Sequence, residues 1–149
     1  MFLTVHGAIG VIIGEQVKNP IWAFVVGLIS HYIFDLIPHG DTKAPKKWQN
    51  IIHLSLIAFL DIIILIIFLL WLGTRVNIIN ISTAFAFLGA TLPDYLQGIY
   101  FLSNRKLFKR HQRLHDFFHF LIADKFEWNF YVGLGLQITF FIILITFII

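Results

Sequence analysis

The 149-residue chain contains no cysteine. That single absence removes disulfides, thiolate zinc sites and a cysteine nucleophile, so any metal must sit on histidine and carboxylate. Charge is scarce as well. Asp, Glu, Lys and Arg make up 13% of the residues and hydrophobic residues 58%, against roughly 25% charge in an average soluble domain. This balance reads as one integral membrane domain over residues 1–149, with no room for a separate soluble domain beside several spans. The opening stretch MFLTVHGAIGVIIGEQV lacks a basic n-region and a small-residue cleavage site, and reads as a retained first span. A formal charge of +3 would permit nucleic acid as a partner. The basic residues, however, gather in two short loops between apolar runs instead of forming a stripe on a polar domain, a pattern of membrane orientation.

What the sequence has in abundance is apolar segments. Five can be drawn, at about 2–17, 20–38, 51–72, 78–102 and 128–149, each near the roughly 20 residues that a spanning helix needs. The expected fold is therefore all-α, a polytopic bundle of four or five spans. The first segment carries His6, Glu15 and three glycines, so it is expected to be tilted or partly re-entrant. Gly7, Gly10 and Gly14 are spaced for close helix contact and would bring His6 toward the second span. The loop after the second span holds Lys43, Lys46 and Lys47, and the one after the fourth holds Arg105, Lys106, Lys109, Arg110, Arg113 and Lys125; the other two loops hold Lys18 and Arg75. Nine basic residues against two put the rich loops and the N-terminus in the cytoplasm, in the cell (inner) membrane.

In that topology all seven histidines and all six aspartates fall on the cytoplasmic side. His31, Asp61 and Asp94, on three different spans, come out at similar depths of roughly 10–15 Å, as a shared site requires. An ionisable residue at the bilayer centre costs roughly 2.5–3.5 kcal/mol on insertion scales, so the cluster in GLISHYIFDLIPHGD needs a compensating role. His31 and Asp35 are four residues apart and project from one helical face like two ligands of one ion. Pro38 then ends the helix and turns His39 and Asp41 back to the same mouth. Asp94 follows Pro93 in GATLPDYLQG, where a proline kink widens the space beside a carboxylate. Asp61 is embedded in LIAFLDIIILII and must be protonated or find a partner.

His111, His115 and His119 repeat every four residues along KRHQRLHDFFHFL. On a helical wheel Leu107, Leu114, Phe118 and Leu121 form an apolar face, Lys106, Lys109, Arg110 and Arg113 a basic face, and the histidines an edge between them. The segment reads as a basic amphipathic helix in the cytoplasmic interface, in contact with membrane lipids. His115 is the histidine expected to face the bundle's mouth. His53, at a loop edge, is read as ordinary.

Each constellation has a plainer counterpart: a His–Asp hydrogen bond that stabilises the bundle, an Asp94 that caps the helix after the kink, interfacial histidines on a surface helix. Taken together they favour a divalent metal site on His6, His31, Asp35, His39, Asp61 and Asp94, with Asp41 and His115 as the catalytic, proton-handling candidates. Imidazole and carboxylate without thiolate suit zinc first, with manganese or iron as alternatives. A metal lowers the pKa of its water, and a neighbouring carboxylate or histidine takes the proton.

The segments TVHGAIG, SHYIFDLIPHGD and GATLPDYL resemble motifs of the small inner-membrane, metal-dependent hydrolases of the YdjM-like (LexA-regulated) type, which carry an early His-Gly, an S-H-x-x-x-D helix and an L-P-D motif. The resemblance implies metal-site roles for His6, His31, Asp35 and Asp94. The expected activity is metal-dependent hydrolysis with the site open to the cytoplasmic side, acting on a lipid headgroup or another phosphoester. A rival expectation is a small ion, proton or metal transporter that uses Asp61, Asp94 and His31 as a pathway; a third is a structural membrane protein without chemistry.

Overall fold

The computed structural model describes residues 1–40, 43–46, 50–75 and 80–148. Asp41 and Lys47, named above, lie outside the described residues. Six helices and no strand occur among those described: α1 (Leu3–Gln16), α2 (Pro20–Asp35), α3 (Ile51–Arg75), α4 (Ile81–Leu102), α5 (Lys109–Phe126) and α6 (Phe130–Ile148). The five apolar segments of the sequence thus become α1, α2, α3, α4 and α6, and the basic stretch becomes α5.

Two of the six are long and apolar enough to cross a membrane. These are Ser55–Thr74 within α3, of mean hydropathy 2.9, and Phe130–Ile148, of mean hydropathy 2.2. Only 22% of each is buried, whereas the core helix of a soluble protein would be mostly covered. Helices α1 and α2, at 14 and 16 residues, reach about 21 and 24 Å, short of the roughly 30 Å hydrocarbon core. Along α4 the hydropathy is diluted by Ser82, Thr83, Thr91, Asp94 and Gln97.

The helix starts follow local chemistry. Asn19 caps α2 by accepting from Ile21 N and Trp22 N, with Pro20 in the first helical position, where its missing N–H costs nothing. Asn80 caps α4 by accepting from Thr83 N at 2.9 Å. Phe2 offers α1 no side-chain cap. The carboxylate of Asp61, on α3, takes that place: it accepts from Leu3 N at 2.6 Å and Thr4 N at 3.3 Å, and from the Thr4 hydroxyl. A buried helix N-terminus with unmet N–H groups would be costly, and its partial positive charge suits a carboxylate.

Helix α1 is central. Residues Leu3 to Val11 are all buried, and α1 packs against α2, α3, α4 and α6, as a helix apolar on nearly every face should. Its glycines meet α4 rather than α2: a Cβ on Gly10 would lie 2.7 Å from Phe87 Cα, and one on Gly14 2.2 Å from Thr83 Cα. The apolar core joins Val5, Ile9 and Val11 of α1 to Leu65, Phe68 and Leu72 of α3 and Leu144 and Ile148 of α6. The closest pairing is α2 on α4, where a Cβ on Gly27 would meet Ala86 O at 2.3 Å and one on Gly89 would meet Phe24 O at 2.2 Å. Small residues let the two backbones touch.

Polarity runs opposite to that of a soluble domain. The outer faces of α2, α3, α4 and α6 expose Ile29, Ile33, Ile67, Leu70, Leu88, Ile99 and Phe147, while His6, His31, Asp35, His39, His115 and Gln137 are buried. Gln137, on α6, ties the interior together by accepting from Phe2 N at 2.6 Å and donating to His39 O at 3.2 Å.

Candidate metal centre

The centre is assembled from three helices around α2. His31 and Asp35 stand one turn apart on α2, and both are almost completely buried, at 0% and 1% exposure. The glycine contact between α2 and α4 brings Asp94 alongside, and Pro93 just before it has no N–H to give to the carbonyl of Gly89. Helix α5 folds back after a turn in which Asn104, Arg105 and Phe108 take positive φ of 54°, 63° and 55°, and it lays His115 over the same spot.

The ligand atoms of His31, Asp35, Asp94 and His115 all lie within 4.8 Å of one another. His31 Nε2 is 3.2 Å from Asp35 Oδ2 and 3.8 Å from Asp94 Oδ1; His115 Nε2 is 3.4 Å and 3.6 Å from the same two oxygens. The two Nε2 atoms face each other at 3.3 Å. His31 Nδ1 lies 2.8 Å from the carbonyl of Ala90. A carbonyl only accepts, so Nδ1 carries the proton and the neutral ring turns the Nε2 lone pair toward the other three groups. His115 Nδ1 is held 3.2 Å from the amide of Gln97, one turn beyond Asp94 on α4. Asp94 Oδ2 is buried without a hydrogen-bond partner among the described residues, and Asp35 Oδ2 has the two imidazole nitrogens beside it. Lone pairs and carboxylate oxygens converging without enough protons to share are what a cation relieves.

Electrostatics on α5 agree. Burial alone would lower the pKa of His115, but hydrogen bonds to Asp35 and Asp94, with their charges, raise it to about 9. Without a metal the two carboxylates thus hold a proton on His115 as their counter-charge. For His111 burial lowers the pKa, and the neighbouring His115 and His31 lower it further.

No known family, curated protein or solved structure matches this chain. The reading of the centre therefore rests on its own geometry.

Of the residues singled out in the sequence, His31, Asp35 and Asp94 meet as expected. His115, expected to handle protons, stands among the four potential ligands. His6 stacks on the His31 ring with centroids 4.1 Å apart and places Nε2 3.1 Å from Asp35 Oδ1, the oxygen turned away from His31. His39 lies outside the group of four: its Nδ1 donates to Ile37 O at 2.7 Å, and its Nε2 is 3.2 Å from His119 Nε2. Asp61 is a correction. Its carboxylate is taken up by the N-terminus of α1, which supplies the partner that a carboxylate in an apolar run demands, and it does not join the cluster. Asp41 lies outside the described residues. His53 is exposed with Asn50 as its partner. Sequence reading missed Gln97 and the Ala90 carbonyl, the two groups that orient the histidines. Gln97 was findable, three residues after Asp94 on one helical face; a backbone carbonyl leaves no mark in a sequence.

Proposed function

We propose that the chain is an integral membrane, metal-dependent hydrolase whose His31, Asp35, Asp94 and His115 bind a divalent ion, zinc by preference, on the cytoplasmic side of the inner membrane. The observation that carries the reading is the convergence of two imidazole Nε2 atoms and two carboxylates, from three helices, inside an apolar-surfaced bundle. The donor set, nitrogen and oxygen without sulfur, suits zinc, manganese or iron. The likeness of the early His-Gly, the S-H-x-x-x-D helix and the L-P-D segment to the YdjM-like hydrolases points the same way, as does the excess of basic residues on one side for the orientation.

A catalytic metal keeps a position open to water, so one of the four candidate ligands must bind loosely enough to leave room. His31, Asp35 and His115 make the compact set. Asp94 is the outlying arm, with its oxygen 3.6–3.8 Å from the histidine nitrogens and its side chain 19% exposed against 3% or less for the others. Its buried, unpartnered Oδ2 is suited to accept a proton from the attacking water. When bound, the metal supplies Lewis acidity and a water of lowered pKa. The substrate we favour is a phosphoester in a lipid headgroup. An apolar cavity of about 320 Å³ between α1, α3 and α6, lined by Phe2, Ile64, Phe130, Leu134, Ile138 and Phe141, offers room for part of an acyl chain, although none of the four candidate ligands lines it. The transporter reading loses one arm of its pathway, because Asp61 serves α1.

The test is elemental analysis of the detergent-purified chain, wild type beside the His31/Asp35 double alanine, followed by hydrolysis assays on phospholipid vesicles and soluble phosphoesters with and without chelator. Metal in the wild type alone, with chelator-sensitive release of product, is the expected result. Equal metal content in both proteins, or loaded wild type that leaves every phosphoester untouched, would overturn it.

A further inference from the structure

The two oxygens of Asp35 look into different spaces. Oδ2 faces His31 and His115. Oδ1 faces the other way, 3.1 Å from His6 Nε2 and 2.8 Å from the Met1 nitrogen. That nitrogen is also 2.8 Å from His39 Nε2, so it contacts both the carboxylate oxygen and the imidazole. His39 gives its Nδ1 proton to the Ile37 carbonyl at 2.7 Å, which leaves the neutral ring with a lone pair on Nε2. His119, two helical turns along α5 from His111 and one from His115, directs its Nε2 to within 3.2 Å of His39 Nε2. His6 and the Met1 ammonium thus contact Asp35 Oδ1 directly, and His39 and His119 follow beyond the ammonium, which marks a place where positive charge is held and which must lose its proton or move aside where a metal ion enters.

The loop that carries His39 is held for this role. Gly40 takes a φ of +85°, a conformation that suits glycine, and a Cβ on Gly133 of α6 would lie 2.0 Å from His39 O. The Gly40 N–H donates to the carboxylate of Glu127, and Gln137 donates to His39 O at 3.2 Å. The imidazole is therefore anchored from α6 and from the segment before it, as a ligand must be if its position is to be fixed.

We propose that Asp35 bridges two cation positions, and that the second, bounded by Asp35 Oδ1, His6, His39 and His119, takes a second divalent transition-metal ion. The inference rests on the first position being a metal site. Paired ions that share a carboxylate are a recurring arrangement for phosphoester hydrolysis, in which one oxygen is activated as another leaves. The first position has Asp94 as a carboxylate of its own and the second has only the shared Asp35. The first is therefore the tighter and fills first, since neutral imidazoles offset less of an ion's charge.

The probe is Mn²⁺ added to the chelated full-length chain in detergent, followed by metal counting and electron paramagnetic resonance. In the wild type, binding should saturate at about two ions per chain, with an isolated-ion spectrum at low loading that gives way to a broad, spin-coupled one at saturation. His119→Ala, a change at a half-buried position on α5, should bind about one ion and show no coupling. Asp94→Asn should also end without coupling. Saturation of the wild type at one ion with an isolated spectrum would overturn the second position and leave the first intact, as would a coupled pair that survives His119→Ala. No bound manganese in the wild type would overturn both. The wild-type spectrum decides the matter even where a variant fails to fold.

Discussion

Adding one methyl group at Gly89 should separate α2 from α4 and open the proposed metal centre without touching a candidate ligand. A Cβ there would stand 2.2 Å from Phe24 O and 3.0 Å from Leu28 N, both backbone atoms that cannot swing aside. Restoring an ordinary carbon–oxygen contact of about 3.3 Å moves the helices apart by about 1 Å. Overpacking of this kind costs about 1–3 kcal/mol. Asp94, already 3.8 Å from His31 Nε2, would move beyond any geometry in which it and the α2 residues serve one ion. A misplacement of about 1 Å at a reacting centre costs on the order of 100-fold in rate. The control lies on the same helix. A Cβ on Gly98 meets nothing within 4 Å, so Gly98→Ala should be neutral or stabilise by about 0.5–1 kcal/mol through helix propensity. Thermal unfolding in detergent and competition titration against a zinc chelator measure both effects. If the two alanine variants share one midpoint and one metal affinity, the account of how α2 and α4 build the centre is wrong.

Asp61→Ala should destabilise the chain by about 1–3 kcal/mol, since it leaves the buried N–H groups of Leu3 and Thr4 unmet, yet metal content should not change; loss of metal with retained stability would restore Asp61 to the ligand set. Gln97→Ala removes the amide that steadies His115 and should weaken metal binding by about 10–100-fold, read by the same chelator competition, with unchanged affinity counting against a positioning role. In the metal-free protein His115 is raised from 6.5 to about 9 by Asp35 and Asp94, against the effect of burial. Its imidazolium therefore contributes stability in full below pH 6.5, and that contribution is lost as the pH rises to about 9. Unfolding midpoints of chelated protein should fall across that window, and a flat profile refutes the pairing.

The helices were legible because long apolar runs broken by Asn19–Pro20, Pro38 and the basic stretch leave few other readings. Hydropathy summed over a segment does not reveal where a helix stops, and α1 and α2 proved shorter than the runs that contain them. The dilution along α4 was present in Ser82, Thr83, Thr91 and Gln97 and was outweighed by the apolar residues between them. In the centre, the four-residue interval from His31 to Asp35 and the interval that repeats from His111 to His119 identified faces correctly, because helical geometry alone fixes which residues share a side. Partners were harder to read. A carboxylate inside an apolar run looks the same whether it holds an ion or caps a helix, and the cap that Asp61 supplies lies 58 residues away in sequence. The glycines of α1 announced a close contact and not its recipient, since a residue without a side chain carries no mark of what it touches.

Where lipid surrounds a bundle, burial of apolar surface does little to hold helices together, and close packing and interior polar contacts take over. In this chain such contacts also shape the centre: His31 to the Ala90 carbonyl, and Gly27 and Gly89 at the α2–α4 crossing. Stability and metal binding should consequently be linked. A metal present at about 100 times its Kd should add about 2.7 kcal/mol to the folded state, visible as a raised unfolding midpoint in detergent. Gly98→Ala should keep that increment, because it leaves the crossing alone, and His31→Ala should abolish it, because a buried ligand is gone. A wild-type midpoint that ignores saturating metal would mean that the four side chains meet for structural reasons only, and that the cation they await is a proton.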